Sequence, residues 1–320
     1  MHGIPLAEVA KHLRAARPLP FVAAVVVATA TFPLRTARWR YLLRLKGASL
    51  PFAPLWHATA IGFMANNLLP ARAGEFARAF AASRLTGVGF AAALASLAVE
   101  RIMDGIAIVA LMFIAIAAGH FSRTATIGGV SIVGMASGAA VFFGLALVTA
   151  VVVVQRPETA RRLARGLFRR VLPARLGERA VGVVEGLLAG LDALRSPGRF
   201  AAVALWSMAV WLTYAASFTL CFAAFGIDVH WTATFMLQGL IGFGVAIPSS
   251  PGFFGPFEAA TRAALALYGV EPGHAISYAV AYHIGTFIPI SVLGLWSLSR
   301  AHLHLADLRR RGGAAGPAAP

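Results

Sequence analysis

Glu100, Arg101 and Asp104 interrupt residues 90–119, a stretch that is otherwise apolar. A charge inside such a run costs at least about 2.5 kcal/mol and faces a protein interior or a wet cavity. Glu100 and Asp104 stand four residues apart, so a helix places them on one face as like charges, which calls for a cation nearby. Arg35, Arg38, Arg40, Arg72 and Arg78 are the candidates. Two chemistries fit this pattern: an ion network that holds helices together, or a site that handles a substrate or a proton.

Two polar knots add to the signal. One reads Asn66-Asn67-Leu68-Leu69-Pro70-Ala71-Arg72-Ala73-Gly74-Glu75. The other reads Ile247-Pro248-Ser249-Ser250-Pro251-Gly252-Phe253-Phe254-Gly255-Pro256-Phe257-Glu258. Each ends a hydrophobic run at proline, continues through glycine and delivers a glutamate at the expected start of a new helix. A helix that restarts inside a membrane offers open N–H donors and partial positive charge, which favour an anion such as phosphate. Arg72 and Arg78 add donors suited to phosphate at the first knot, and Asn66 and Asn67 add hydrogen-bonding amides. The second knot has Ser249 and Ser250 and no arginine before Arg262, so the first is the better anion site. Glu75 and Glu258 also fit a plainer role as first-turn acids that cap their helices. His283, inside the last apolar run, is expected as a hydrogen-bonded core residue rather than a proton relay. The residues expected to bind a substrate or couple its movement are therefore Asn66, Arg72, Glu75, Arg78, Glu100, Arg101, Asp104, Ser249 and Glu258.

The elements that must position them are membrane helices. Hydrophobic residues make up 59% of the chain and charged residues 12%, with a mean hydropathy of +0.76. A soluble domain carries about 25% charged residues, so this chain is an integral membrane protein. Strand-like alternation is absent, which excludes a barrel. Apolar runs at 19–34, 90–119, 127–154, 200–225 and 274–298 are read as crossings. Those at 52–69 and 231–247 stop at the knots. The run 90–119 would span about 45 Å as a helix, more than the roughly 30 Å bilayer core, so it tilts or starts outside. Residues 156–199 hold ten arginines and four acids, with Leu163, Leu167, Val171 and Leu172 at helical spacing. That is an amphipathic segment for an anionic leaflet.

Charge selects a topology. If 52–69 and 231–247 dip in and return as re-entrant hairpins, most lysines and arginines face the cytoplasm, as the positive-inside rule requires. The N-terminus then lies outside. The two halves become inverted repeats, the layout of many transporters. The expected organisation is a basic segment at 1–18, a first membrane half at 19–154 with its hairpin at about 52–85, and a cytoplasmic basic linker at 155–199. A second half at 200–300, with its hairpin at about 231–269, and a basic then disordered tail at 301–320 complete it. The expected fold is an all-α polytopic bundle with two inverted-topology halves, each with a Pro/Gly-broken hairpin.

The net charge of +16 belongs to membrane flanks rather than to nucleic-acid binding. A single cysteine, Cys221, allows no internal disulfide and no cysteine metal site. Nucleotide-binding glycine patterns, a nucleophile elbow and zinc spacing are absent, so no cofactor or metal is expected.

The chain resembles the lysylphosphatidylglycerol synthase transmembrane family, also called flippase-like domain proteins, over about residues 20–300. The resemblance rests on Arg38-Trp39-Arg40-x-Leu42-Leu43 and on Gly62-Phe63-x-x-Asn66-x-x-Leu69-Pro70-x-Arg72-x-Gly74-Glu75-x-x-Arg78. It continues through Glu100-Arg101-x-x-Asp104 and Ile247-Pro248-x-x-Pro251-Gly252-x-x-Gly255-x-x-Glu258. It implies moving, or presenting for modification, an anionic phospholipid or polyprenyl-type lipid at the cytoplasmic (inner) membrane. Family members fuse this region to a soluble aminoacyl-transferase domain. No such domain is read here, so a transporter-like role is expected rather than lysyl transfer, with an enzyme partner encoded separately. The alternative is a membrane-embedded enzyme, or its non-catalytic subunit, that modifies a lipid or glycan-lipid.

Overall fold

The computed structural model describes residues 6–45, 47–69, 73–119, 124–171, 173–246 and 250–303. Pro70, Ala71, Arg72, Ser249 and the tail beyond residue 303 lie outside them. The described chain is helical apart from two short antiparallel ribbons, Arg44–Leu45 with Ala48–Ser49 and Thr126–Ile127 with Val130–Ser131. The second ribbon occupies the start of the run expected as helix from 127. Its Gly128-Gly129 turn has positive φ at both residues, which closes a two-residue hairpin instead.

After α1 (Leu6–Ala15), α2 (Pro18–Thr29) and α3 (Thr31–Leu42) form one apolar passage with a break at Ala30. Pro33 has no N–H for the Thr29 carbonyl, and the helix is interrupted there. Next come α4 (Phe52–Leu68), α5 (Gly74–Thr86) and the long α6 (Phe90–Ala118). α7 (Ile132–Gln155) leads to the basic pair α8 (Pro157–Val171) and α9 (Ala174–Gly190). The second half follows as α10 (Pro197–Phe225), α11 (Ala233–Ala246), α12 (Pro256–Ala266) and α13 (Pro272–Arg300).

Among the described residues, five helical stretches are long and apolar enough to cross a membrane: Pro18–Leu42, α6, α7, α10 and α13. α4, with 17 residues, and α11, with 14, reach only about 26 and 21 Å, short of a bilayer core. α4 packs against α5, and α11 against α12. Both contacts use a glycine. A Cβ on Gly62 would sit 2.5 Å from Arg78 Cβ and 2.9 Å from the Gly74 carbonyl. One on Gly244 would sit 2.9 Å from Ala260 Cβ and 3.0 Å from the Pro256 carbonyl.

The same sequence interval separates Gly62 from Gly244, Gly74 from Pro256 and Arg78 from Ala260. It also separates both ends of α6 from both ends of α13, each a 29-residue helix. Packing repeats this correspondence: α4 lies on α13 and α11 lies on α6, so each hairpin leans on the long helix of the other half. Two apolar cores form, and each draws on both halves: Val203 and Leu298 join the first, and Ala24, Leu111 and Met112 join the second. Trp39, Leu55, Ile61, Met64 and Leu97 anchor the first. Met112, Phe222, Met236, Leu237 and Tyr278 anchor the second.

Candidate functional site

The buried charges of the first half converge. Arg35 and Arg38 lie three apart on α3, one helical face, and point at α6. α5 contributes Arg78 and Glu75, and α6 contributes Glu100, Arg101 and Asp104. Arg78 donates two hydrogen bonds to Glu100, at 2.7 and 3.2 Å, in the bidentate form that suits a guanidinium and a carboxylate. Arg38 donates to Asp104 and to Ser207 Oγ of α10 at 2.8 Å, and its other nitrogen lies 3.2 Å from Glu100. Arg35 reaches Asp104 at 3.4 Å, and Trp211 Nε1 of α10 donates to the same carboxylate at 3.0 Å. The like charges Glu100 and Asp104 are thus separated by guanidinium groups.

Aromatic rings line the outside. Arg78 lies 4.0 Å from the Trp39 ring centroid, and Trp39 Nε1 donates to Ser96. Arg35 lies 5.1 Å from Phe63 and 5.5 Å from Trp211. These faces stabilise desolvated cations. Arg35, Arg38, Arg78, Glu100 and Asp104 are all buried.

Arg101 differs. It meets Glu100 at 2.6 Å, Asp104 at 3.2 Å and Glu75 at 3.5 Å, yet its side chain is 41% exposed and that of Glu75 is 30% exposed. The cluster therefore has a sealed interior and one open edge. Among the described residues it holds four guanidiniums and three carboxylates, an excess of one positive charge. The buried interior, Arg35, Arg38 and Arg78 against Glu100 and Asp104, carries that excess, and the open edge pairs Arg101 with Glu75.

The second hairpin carries a smaller site. His283 of α13 places Nδ1 2.6 Å from Glu258 Oε1 and Nε2 2.7 Å from the Gly252 carbonyl. Gly255 N–H donates to Glu258 Oε2 at 2.6 Å, the glutamate half of a capping box at the start of α12, with no N-cap side chain to return the bond. Phe254 stacks on His283, and Phe257 lies against its other surroundings at the same 4.4 Å centroid distance.

The structure brings Glu75, Arg78, Glu100, Arg101 and Asp104 together and sets Glu258 apart with His283. Asn66 accepts the Gly74 N–H at 2.9 Å and so caps α5 across its own hairpin. Asn67 donates to Ser291 of α13 at 3.1 Å. Arg72 and Ser249 fall outside the described residues. Of the candidate cations, Arg35, Arg38 and Arg78 serve the acids, while Arg40 donates to the Leu50 carbonyl instead. Trp39, Ser207, Trp211 and His283 complete the two sites without having been placed in them by sequence. His283 was expected as a hydrogen-bonded core residue, and both its ring nitrogens are bonded in a buried position.

These elements define a helical, multi-pass membrane protein whose charged centre sits where the first half meets α10. The chain belongs to the family of the lysylphosphatidylglycerol synthase TM region, which matches residues 1–294. It is also similar to glycosyltransferase AglD of Haloferax volcanii, with 30% identity over 341 residues. That match covers 95% of this chain and 53% of the relative, so the chain spans about half the length of the protein it matches.

Proposed function

We propose that this protein is a lipid translocase of the cytoplasmic membrane that holds an anionic lipid headgroup at the open edge of the arginine cluster. The observation that carries this reading is a cluster with one net positive charge that reaches the surface through the guanidinium of Arg101. A sealed structural network is expected to balance its charges internally. Here one positive charge is left over in the cluster, the guanidinium of Arg101 is its partly exposed cation, and a phosphate suits it. Glu75 lies alongside, its Oε2 without a hydrogen-bond partner among the described residues, a poised group for coupling or release. Acyl or polyprenyl chains stay in the bilayer while the headgroup crosses.

The equal spacing of the two hairpins and the two long helices supports a pair of structural repeats. The flanking basic residues support opposite orientations for them. A second reading, in which the chain is the membrane part of a lipid- or glycan-lipid-modifying enzyme, is favoured by the name of its glycosyltransferase relative. Against it, Glu100 and Asp104 are both held by arginines, leaving neither free as a base.

Reconstitution in liposomes separates the two. Vesicles carry labelled phosphatidylglycerol, polyprenyl phosphate or phosphatidylcholine, and leaflet exchange is followed by a membrane-impermeant quencher. Faster exchange of an anionic lipid without covalent change supports translocation. A modified lipid with no exchange supports the enzyme reading. Equal exchange of phosphatidylcholine would remove the role of the positive edge.

A further inference from the structure

We propose that Glu258 and His283 form a proton-binding site that latches the loop of the second hairpin, a reading that goes beyond the lipid function and stands without it. The argument begins with His283, both of whose ring nitrogens face oxygen. The Gly252 carbonyl can only accept, so Nε2 carries a hydrogen. In a neutral ring Nδ1 is then a lone pair, yet a carboxyl oxygen lies 2.6 Å away. A proton must lie between them. Imidazolium with carboxylate, and neutral imidazole with carboxylic acid, contain the same number of protons. Either way the closed pair holds one proton that a neutral histidine and a free carboxylate lack. Loss of that proton sets two lone pairs against each other and forces the groups apart.

The pair also grips the loop at both ends. His283 holds the Gly252 carbonyl, and Glu258 holds the Gly255 N–H. Between them Gly252 has φ 71 and Phe253 has φ 62. A left-handed conformation at a bulky residue is a genuine outlier and persists where its surroundings over-determine it. Phe254, stacked on His283, is 43% exposed. The loop is thus strained, clamped at two points, and clamped through one shared proton.

The first half supports this assignment. His283 and Arg101 occupy the same position in the two 29-residue helices, and each faces a first-turn glutamate, Glu258 or Glu75, from the hairpin before it. The first half keeps a permanent cation there; the second keeps a titratable one. The surroundings add little competing charge. α12 carries Arg262 one turn beyond Glu258, and α13 carries Tyr282, whose hydroxyl meets Ser217. α11 and α2 contribute no titratable side chain, and α4 contributes His57, which lies against Trp296. α10 carries Arg199, Tyr214 and Cys221, and α1 carries Glu8, Lys11, His12 and Arg14; of these Tyr214 lies near Trp211 and His12 near His274. Among the described residues, the one ion pair of Glu258 or His283 is the pair itself.

Hydrogen exchange in lipid nanodiscs tests the latch, using the peptide over residues 250–258 and correcting for intrinsic exchange, from about pH 5 to about pH 9, a window that spans an ordinary histidine titration. The wild type should lose protection at least about tenfold toward the alkaline end, because opening releases the proton. Glu258→Gln should stay protected throughout, since its amide donates to Nδ1 and accepts from Gly255 without any proton to lose. Equal wild-type protection at both ends, or an unchanged pH step in Glu258→Gln, overturns the proposal. If that variant does not fold, nitrogen NMR of histidine-labelled wild type decides. Nε2 should stay protonated while Nδ1 passes from a shared proton to a free lone pair; an Nε2 without hydrogen overturns it.

Discussion

Replacing Arg101 with glutamine and, separately, Glu100 with glutamine distinguishes a ligand site from a structural ion network, because the same cluster predicts opposite consequences. Glu100 is fully buried and stands within 3.2 Å of Arg38, Arg78 and Arg101. Its neutralisation leaves four guanidiniums facing two carboxylates with no water to screen them. Breaking a buried pair in this way costs about 3–5 kcal/mol. At about 2–4 °C per kcal/mol that lowers the melting temperature by roughly 10 °C. Arg101→Gln does the reverse to the charge. Three guanidiniums then face three carboxylates, and the deeper pairs of Arg35, Arg38 and Arg78 survive. With 41% of its side chain exposed, Arg101 contributes only about 1 kcal/mol to stability, a shift of a few degrees. A charge-assisted hydrogen bond to a phosphate is worth about 1.5–3 kcal/mol, so anionic-lipid binding should weaken about 10- to 100-fold. Thermal melting in detergent and microscale binding of a short-chain phosphatidylglycerol measure both effects. If Arg101→Gln binds as tightly as wild type, or melts as early as Glu100→Gln, the open edge is no binding site.

Three further outcomes follow from the packing and the topology. Gly62→Ala drives a Cβ to 2.5 Å from Arg78 Cβ and should cost about 1–3 kcal/mol in a melting assay, whereas Gly138→Ala on α7, with nothing within 4 Å, should be neutral or stabilising. Trp39→Leu removes the ring beneath Arg78 and the donor to Ser96, and should destabilise by about 3 kcal/mol, while Trp39→Phe keeps a ring and should cost about 1 kcal/mol. Single cysteines at Ser49 and Gly87 should label from one face of the membrane, and those at Gly128 and Gly269 from the other. Native Cys221 is buried and silent, and labelling of Gly87 and Gly269 from the same face would remove the inverted orientation.

Much of this fold was legible because the bilayer imposes strong rules. Five stretches of sufficient length and hydropathy stand out, and proline with glycine marks where α4 and α11 stop. Glu100 and Asp104 advertised a buried site, since a charge in an apolar run needs a reason. Their partners were less legible. Arg40 has the same residue type and almost the same position as Arg38, but it falls on another face of α3 and meets a backbone carbonyl. Ser207 and Trp211 arrive from α10, far along the chain, and nothing in their local sequence marks them. Asn66 is a chemically sensible ligand, yet its oxygen is taken by the Gly74 N–H, a contact that exists only once the hairpin has closed.

The two halves share a frame but differ in how they satisfy it. In both, a short hairpin closes on glycine and its second helix presents a glutamate to the same position of a 29-residue helix. In the first half that position is Arg101, and three further arginines surround it, so charge there is fixed and in surplus. In the second half Ala260 stands where Arg78 stands, and His283 where Arg101 stands, so among the described residues Glu258 forms no ion pair with a permanent cation. A carboxylate in that setting cannot stay charged without the histidine proton, because an unpaired buried ion costs several kcal/mol. The frame that gathers arginines around a glutamate in the first half thus becomes, with one residue exchanged and its arginine neighbours removed, a frame in which a histidine meets the glutamate in the second.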